Sequence, residues 1–182
     1  MRQGRVEEMS GSRSNDSDPA LGTAGNPFRG MPDSGGLLLF ADSDIESLVG
    51  RKFESRWFQI DTDAHQQFIR SSFLESTYAA LSPDSVVEGF YLLSLLDPLA
   101  GGLFRHRDKH ESALNYGLDR VRFISPVYPK DALRLQCEFA RAESRPTGWL
   151  VTIRCTLELD GKERPAMVAD WLLLFPRSVD QA

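Results

Sequence analysis

Basic charge is in short supply in this chain: 21 Lys and Arg face 26 Asp and Glu, for a net charge of -5. Broad binding to nucleic acid needs a clustered cationic excess, so that function class is set aside and a small or acyl ligand is expected instead. Long apolar runs are also missing. The best stretch, Gly89 to Leu99, is interrupted by Asp97-Pro98 and falls short of the roughly 20 residues a membrane helix needs. The residues after Met1-Arg2-Gln3-Gly4 contain no apolar segment of signal-peptide type, so a cytoplasmic location without membrane contact is expected. Cysteine is scarce. Cys137 and Cys155 each sit on the apolar face of a strand-like stretch, which reads as two reduced core thiols rather than a disulfide. There is no Gly-rich phosphate loop, no Ser-His-Asp pattern, no CxxC and no internal repeat, and no cofactor is expected.

What is present fits one soluble domain, with 41% hydrophobic and 26% charged residues. Residues 1–36 are crowded with Gly, Ser, Asp, Asn and Pro and read as a flexible tail; 37–182 read as the single folded domain. Leu37-Leu38-Leu39-Phe40 marks entry into the core, and Ser43-Asp44-Ile45-Glu46 is a capping box opening a short helix that stops at Gly50. Phe53 to Ile60 reads as a strand and Asp61 as the N-cap of a helix to about Ser72. A second capping box, Ser85-Val86-Val87-Glu88, opens a helix over Gly89 to Leu96 that is apolar nearly all round and must be buried. The charged run from Leu103 to Glu111 reads as a loop.

Beyond it the period changes from helical to two. Leu133 to Phe139 and Trp149 to Leu159 alternate strictly, and Asp160-Gly161 joins the second to another strand ending near Phe175. One buried helix followed by long half-wet strands suggests an α+β domain in which a sheet wraps a central helix.

Trp57-Phe58, Gly89 with Leu92, Ser94, Leu95 and Leu96, Asn115-Tyr116-Gly117-Leu118-Asp119-Arg120-Val121-Arg122-Phe123, Pro126-Val127 and Ala169-Asp170-Trp171 resemble the MaoC-like dehydratases and (R)-specific enoyl-thioester hydratases. The likeness spans about Ser43 to Pro176. It implies the hot-dog fold, an antiparallel sheet around one long helix, a homodimer, and acyl thioesters bound near the dimer interface. It also implies a catalytic Asp followed closely by a His ahead of the helix. This chain departs there: Phe68 to Gly89 contains no histidine, and the stretch is shorter than the family's.

Several residues stand as replacements. Glu88 precedes the helix glycine, where it can serve as an acid or base or simply cap the helix. Glu75 and Tyr78 lie in the remodelled stretch, where a phenol beside a carboxylate can orient or protonate a carbonyl. Phe73, Leu74, Gly89, Tyr91 and Tyr116 complete the expected substrate-binding set. The resemblance assigns the Gly89 N–H to the substrate carbonyl, whereas Asp84 in Pro83-Asp84-Ser85 is more simply turn chemistry. The spacing of His106, Asp108 and His110 invites a metal, but a charged loop lacks the rigid support of a metal site, and none is expected. His65, beside Gln66 and Gln67, reads as a surface imidazole.

Three functions remain open. The leading one is a diverged enzyme acting on a hydrophobic acyl thioester or polyketide-like substrate, free or carrier-bound, by isomerisation, dehydration or cyclisation in a shaped apolar pocket. The alternatives are a non-catalytic subunit that binds a ligand or an active paralogue, and an orthodox hydratase or dehydratase with an unrecognised acid and base.

Overall fold

In the computed structural model, which describes residues 28–29, 37–76, 85–107 and 113–177, the chain begins with two short strands, β1 (Phe28–Arg29) and β2 (Leu38–Phe40). A 3-10 turn over Asp42–Asp44 runs into α1 (Ile45–Leu48), and the Asp44 carboxylate accepts the Ala41 N–H at 2.8 Å. The chain then turns at Gly50, whose φ of +87° is left-handed and favours glycine. The strand expected over Phe53 to Ile60 is two pieces, β3 (Lys52–Glu54) and β4 (Phe58–Ile60). Ser55 divides them: its N–H donates to the Leu135 carbonyl and its Oγ accepts the Leu135 N–H, both at 2.9 Å. A side chain thus substitutes for one rung of the backbone ladder.

Helix α2 (Thr62–Ser71) starts as expected, with the Asp61 carboxylate accepting the N–H groups of Asp63 and Ala64 at 2.8 and 3.2 Å. The central helix begins at Gly89 and differs from the one long helix expected: it is two segments, α3 (Gly89–Ser94) and α4 (Leu96–Gly101), meeting at Leu95. Pro98 has no N–H to continue the ladder, and as an early residue of α4 it sits where a helix tolerates proline. The chain before the helix is pinned by the Val87 N–H to the Val127 carbonyl at 2.8 Å.

The charged run from Leu103, expected as a loop, contains a strand. β5 (Phe104–His106) pairs in parallel with β2, burying Phe104 and His106 and exposing Arg105. The alternation in Phe-Arg-His was masked by the charges around it.

Four long strands follow, β6 (Leu114–Phe123), β7 (Ala132–Arg145), β8 (Gly148–Leu159) and β9 (Met167–Pro176). All pair antiparallel in the order β1-β4-β7-β8-β9-β6, with β3 also on β7. The odd-numbered apolar residues of β7 and β8 face inward, so that Leu133, Leu135 and Phe139 meet Leu92, Leu95 and Leu99 of the central helix in one core. This sheet around a central helix is the α+β hot-dog fold. Cys137 and Cys155 are buried, unbonded partners across β7 and β8. The hydrogen bond to Cys155 and burial push the Cys137 thiol well above its ordinary range. No helix among the described residues is long and apolar enough to cross a membrane.

Candidate functional site

His65, expected on the surface, is fully buried. The correction follows from helix geometry: His65 and Ile69, one turn apart, form the inward stripe of amphipathic α2, while Gln66 and Arg70 face out. The glutamines beside it in sequence misled because adjacent helical residues point in different directions. From this position His65 Nε2 contacts the Glu88 carboxylate. An ionised carboxylate only accepts, so Nε2 is the donor and Nδ1 is left for another partner.

Glu88 occupies the N-cap position of α3, but its side chain makes no capping bond; it turns inward to His65 instead. The capping-box role expected from Ser85-x-x-Glu88 is therefore not the one Glu88 fills. Tyr91, one turn on, completes the group, its ring 4.6 Å from that of His65 and 5.3 Å from that of Phe68. Burial, with the Asp61 charge adding to it, pushes the Tyr91 hydroxyl up to about 12. Three atoms of this cluster, His65 Nδ1, Glu88 Oε1 and the Tyr91 hydroxyl, are buried without a hydrogen-bond partner among the described residues. Each such atom costs about 1–3 kcal/mol if nothing fills it, so three together mark a place built to receive something polar.

The other expected residues are placed as follows. Gly89 is half-buried, and a Cβ there would lie 2.8 Å from the Phe123 ring, so its smallness admits that ring. Phe73 is 88% exposed, at a φ of 58°. Leu74 is half-buried, and Glu75 is exposed and pairs with Arg70 at 3.5 Å. Tyr116 is exposed on β6 with the Arg145 guanidinium over its ring. Tyr78, Asp84, Asp108 and His110 lie outside the described residues. No group of three His, Cys, Asp or Glu suited to a metal occurs among the described residues.

Space for a ligand lies along the central helix. An open cleft of about 490 Å³ runs between α4, β5, β6 and β9, floored by Phe40, Trp171 and Leu173 and edged by Asp97, Arg105 and Asn115. A second hollow of about 380 Å³ shares Asp97, Asn115 and Trp171 with it and continues to Leu93 and Leu118. Neither is lined by the dyad. Phe90, Leu93, Ser94, Asp97 and Gly101 follow helical spacing, however, so one helix face leads from the cleft back to the residue after Gly89. His106, at the far end, is buried and pairs with Asp42 at 2.9 Å.

The residues of the Asn-Tyr-Gly block have a different task. The Trp171 indole donates to Asn115 Oδ1 at 2.8 Å. Arg120 pairs with the buried Asp170, which has Arg154 at 3.9 Å on its other oxygen. These links stitch edge strand β6 to β9 across its two register shifts, where Arg120 takes a φ of 53°.

A sheet wrapped on a central helix is the architecture of the hot-dog proteins of MaoC type. The chain belongs to this MaoC-like family. It is 31% identical over 145 residues to nodulation protein N of Rhizobium leguminosarum bv. viciae, covering 73% of this chain and 89% of that one. It is 27% identical over 146 residues to 3-hydroxyacyl-thioester dehydratase Z of Mycobacterium tuberculosis, covering 73% and 94%. The MaoC-like dehydratase from Rhodospirillum rubrum superposes with a TM-score of 0.53 at 16% identity, over 74% of this chain and 97% of that one, which shows the shared fold. The chain matches no established family model.

Proposed function

We propose that the protein is an acyl-thioester enzyme that removes water from, or adds it to, a 3-hydroxyacyl/2-enoyl pair, with His65 as its base and acid and Glu88 as the carboxylate that orients it. The buried His65–Glu88 contact at the start of the central helix carries this reading. It supplies the imidazole that the stretch from Phe68 to Gly89 lacks, from one helix earlier, and pairs it with the carboxylate at the helix start. The 27% identity to a 3-hydroxyacyl-thioester dehydratase agrees with it.

Glu88 holds the imidazole by Nε2, so Nδ1 of the neutral ring presents a lone pair. Nδ1 takes the proton from the thioester's α-carbon, and the electron pair freed from that C–H bond delocalises into the thioester carbonyl; it then returns to form the double bond to the β-carbon as the β-hydroxyl leaves. The imidazolium returns its proton to the departing oxygen, releasing water and regenerating the ring. Hydration is the reverse. The 490 Å³ cleft suits the acyl chain, which would bury on Phe40, Trp171 and Leu173. Edge strand β6 exposes Leu114, Leu118 and Phe123, and a second copy paired along this edge would cover them, giving the homodimer.

Isomerisation is the second reading, favoured by the complete burial of His65: the same ring could carry a proton from the α- to the γ-carbon without a water molecule. One assay separates the two. Purified protein is incubated in deuterium oxide with 3-hydroxyacyl-, 2-enoyl- and 3-enoyl-CoA of short and long chain, and product and deuterium position are read by mass spectrometry. Interconversion of the first two supports dehydration, and interconversion of the enoyl isomers supports isomerisation. No turnover and no α-deuteration with any of them would sink both.

A further inference from the structure

Tyr91 lies three residues after Glu88, so both side chains leave the same side of the helix start. The residue is 4% exposed and its ring is packed between those of His65 and Phe68. Core packing accounts for the ring; it does not account for the oxygen. A buried tyrosine hydroxyl normally finds an acceptor, and a phenylalanine here would pack equally well without a polar atom to satisfy. Yet the Tyr91 hydroxyl has no partner among the described residues, beside two further unpartnered atoms of the dyad.

We infer that Tyr91 is a third catalytic residue, whose hydroxyl donates a hydrogen bond to the thioester carbonyl oxygen as negative charge develops there. This rests on the proton-transfer reading above and adds to it the group that stabilises the intermediate. When the α-proton moves to the dyad, the freed electron pair delocalises into the carbonyl and its oxygen becomes anionic; the Tyr91 hydroxyl donates without losing its proton, so nothing is gained or lost at the phenol. Burial keeps that proton in place, since the hydroxyl titrates only near 12. A fixed donor in a dry site is most valuable where charge appears only during reaction, and it acts on kcat more than on KM.

Tyr91→Phe removes one oxygen and leaves the ring. The expected result is a fall in kcat of about 10²-fold with KM nearly unchanged and the melting temperature kept within a few degrees. A second measurement does not need turnover. In protein labelled at tyrosine Cζ, the Tyr91 resonance, identified by its loss in Tyr91→Phe, is expected to shift when butyryl-CoA or decanoyl-CoA is added, because these saturated thioesters bind but cannot lose water. Wild-type kcat in Tyr91→Phe, or a resonance unmoved by either thioester, overturns the proposal. If Glu88→Gln keeps full turnover while the resonance shifts, the proton-transfer reading fails and Tyr91 stands as a carbonyl donor; if Glu88→Gln is inactive and Tyr91→Phe is not, the reverse holds.

Discussion

The β6–β9 flank and the start of the central helix handle buried polarity in opposite ways. Along β6 and β9 the buried polar groups of β9 are matched: Trp171 with Asn115, Asp170 with Arg120 and Arg154. At the helix start His65 and Glu88 satisfy one atom each and leave three in their cluster unmet. A matched set has nothing left to offer a ligand, whereas an unmatched one in the core is costly unless a ligand or water completes it. The block that most openly resembles the family therefore maintains the sheet, and the chemistry proposed above uses a pair of residues outside it.

The strongest way to break this contrast is at Glu88. Glu88→Gln keeps shape and a hydrogen bond to His65 but cannot carry the charge that orients the imidazole, and turnover is expected to fall at least about 10²-fold. Glu75→Gln, on an exposed side chain paired only with Arg70, is expected to leave turnover unchanged. Equal losses in both, measured as kcat/KM on one thioester, would return the site to the remodelled stretch and empty the contrast. On the matched flank the readout is stability. Asp170→Ala leaves Arg120 without its partner at a left-handed backbone position and is expected to cost about 1–3 kcal/mol by denaturant unfolding, with kcat per folded molecule retained. A loss of kcat without a loss of stability would move the flank into the site.

Gly89 lies where the two regions touch. An alanine Cβ would stand 2.8 Å from the Phe123 ring, so the ring must swing out; this opposes the gain of about 1 kcal/mol that alanine brings to a helix. Gly89→Ala is therefore expected to be neutral to mildly destabilising, and Phe123→Ala made beside it should cost less than Phe123→Ala alone. Strict additivity, within about 0.5 kcal/mol, would mean that the ring and the glycine do not meet.

How much could be read from the chain depended on whether its signal was local. Strict alternation from Leu133 to Phe139 and from Trp149 to Leu159 located β7 and β8, and Asp61 marked the start of α2, because pleat and cap are written in neighbouring residues. The broken central helix was foreshadowed by Pro98, which had been read only as the end of an apolar run. His65 was legible in principle, through its one-turn spacing to Ile69, but its partner lies 23 residues on and neither residue predicts the other. Glu88 carries two roles in the sequence, cap or acid/base, and the three-dimensional contact shows only that its side chain turns to His65 instead of capping. β5 was hidden for a related reason: parallel pairing with β2 joins Leu38–Phe40 to Phe104–His106, a partnership with no local signature.

The smallest expected effect sharpens the contrast at alkaline pH. Tyr91 titrates near 12 in the folded chain against an ordinary value of 10.0, so between these values the folded state holds a proton that the unfolded state has released. A group raised in this way favours folding fully below the unfolded value, and that contribution is lost as pH climbs through the folded one. Stability should accordingly decline from about pH 10 towards 12, and the decline should be shallower in Tyr91→Phe, whose ring cannot ionise. The measurement is the urea midpoint as a function of pH for wild type and Tyr91→Phe. Identical slopes in wild type and Tyr91→Phe would show that the hydroxyl at the helix start is not held up by burial, and the distinction between the two regions would lose its clearest member.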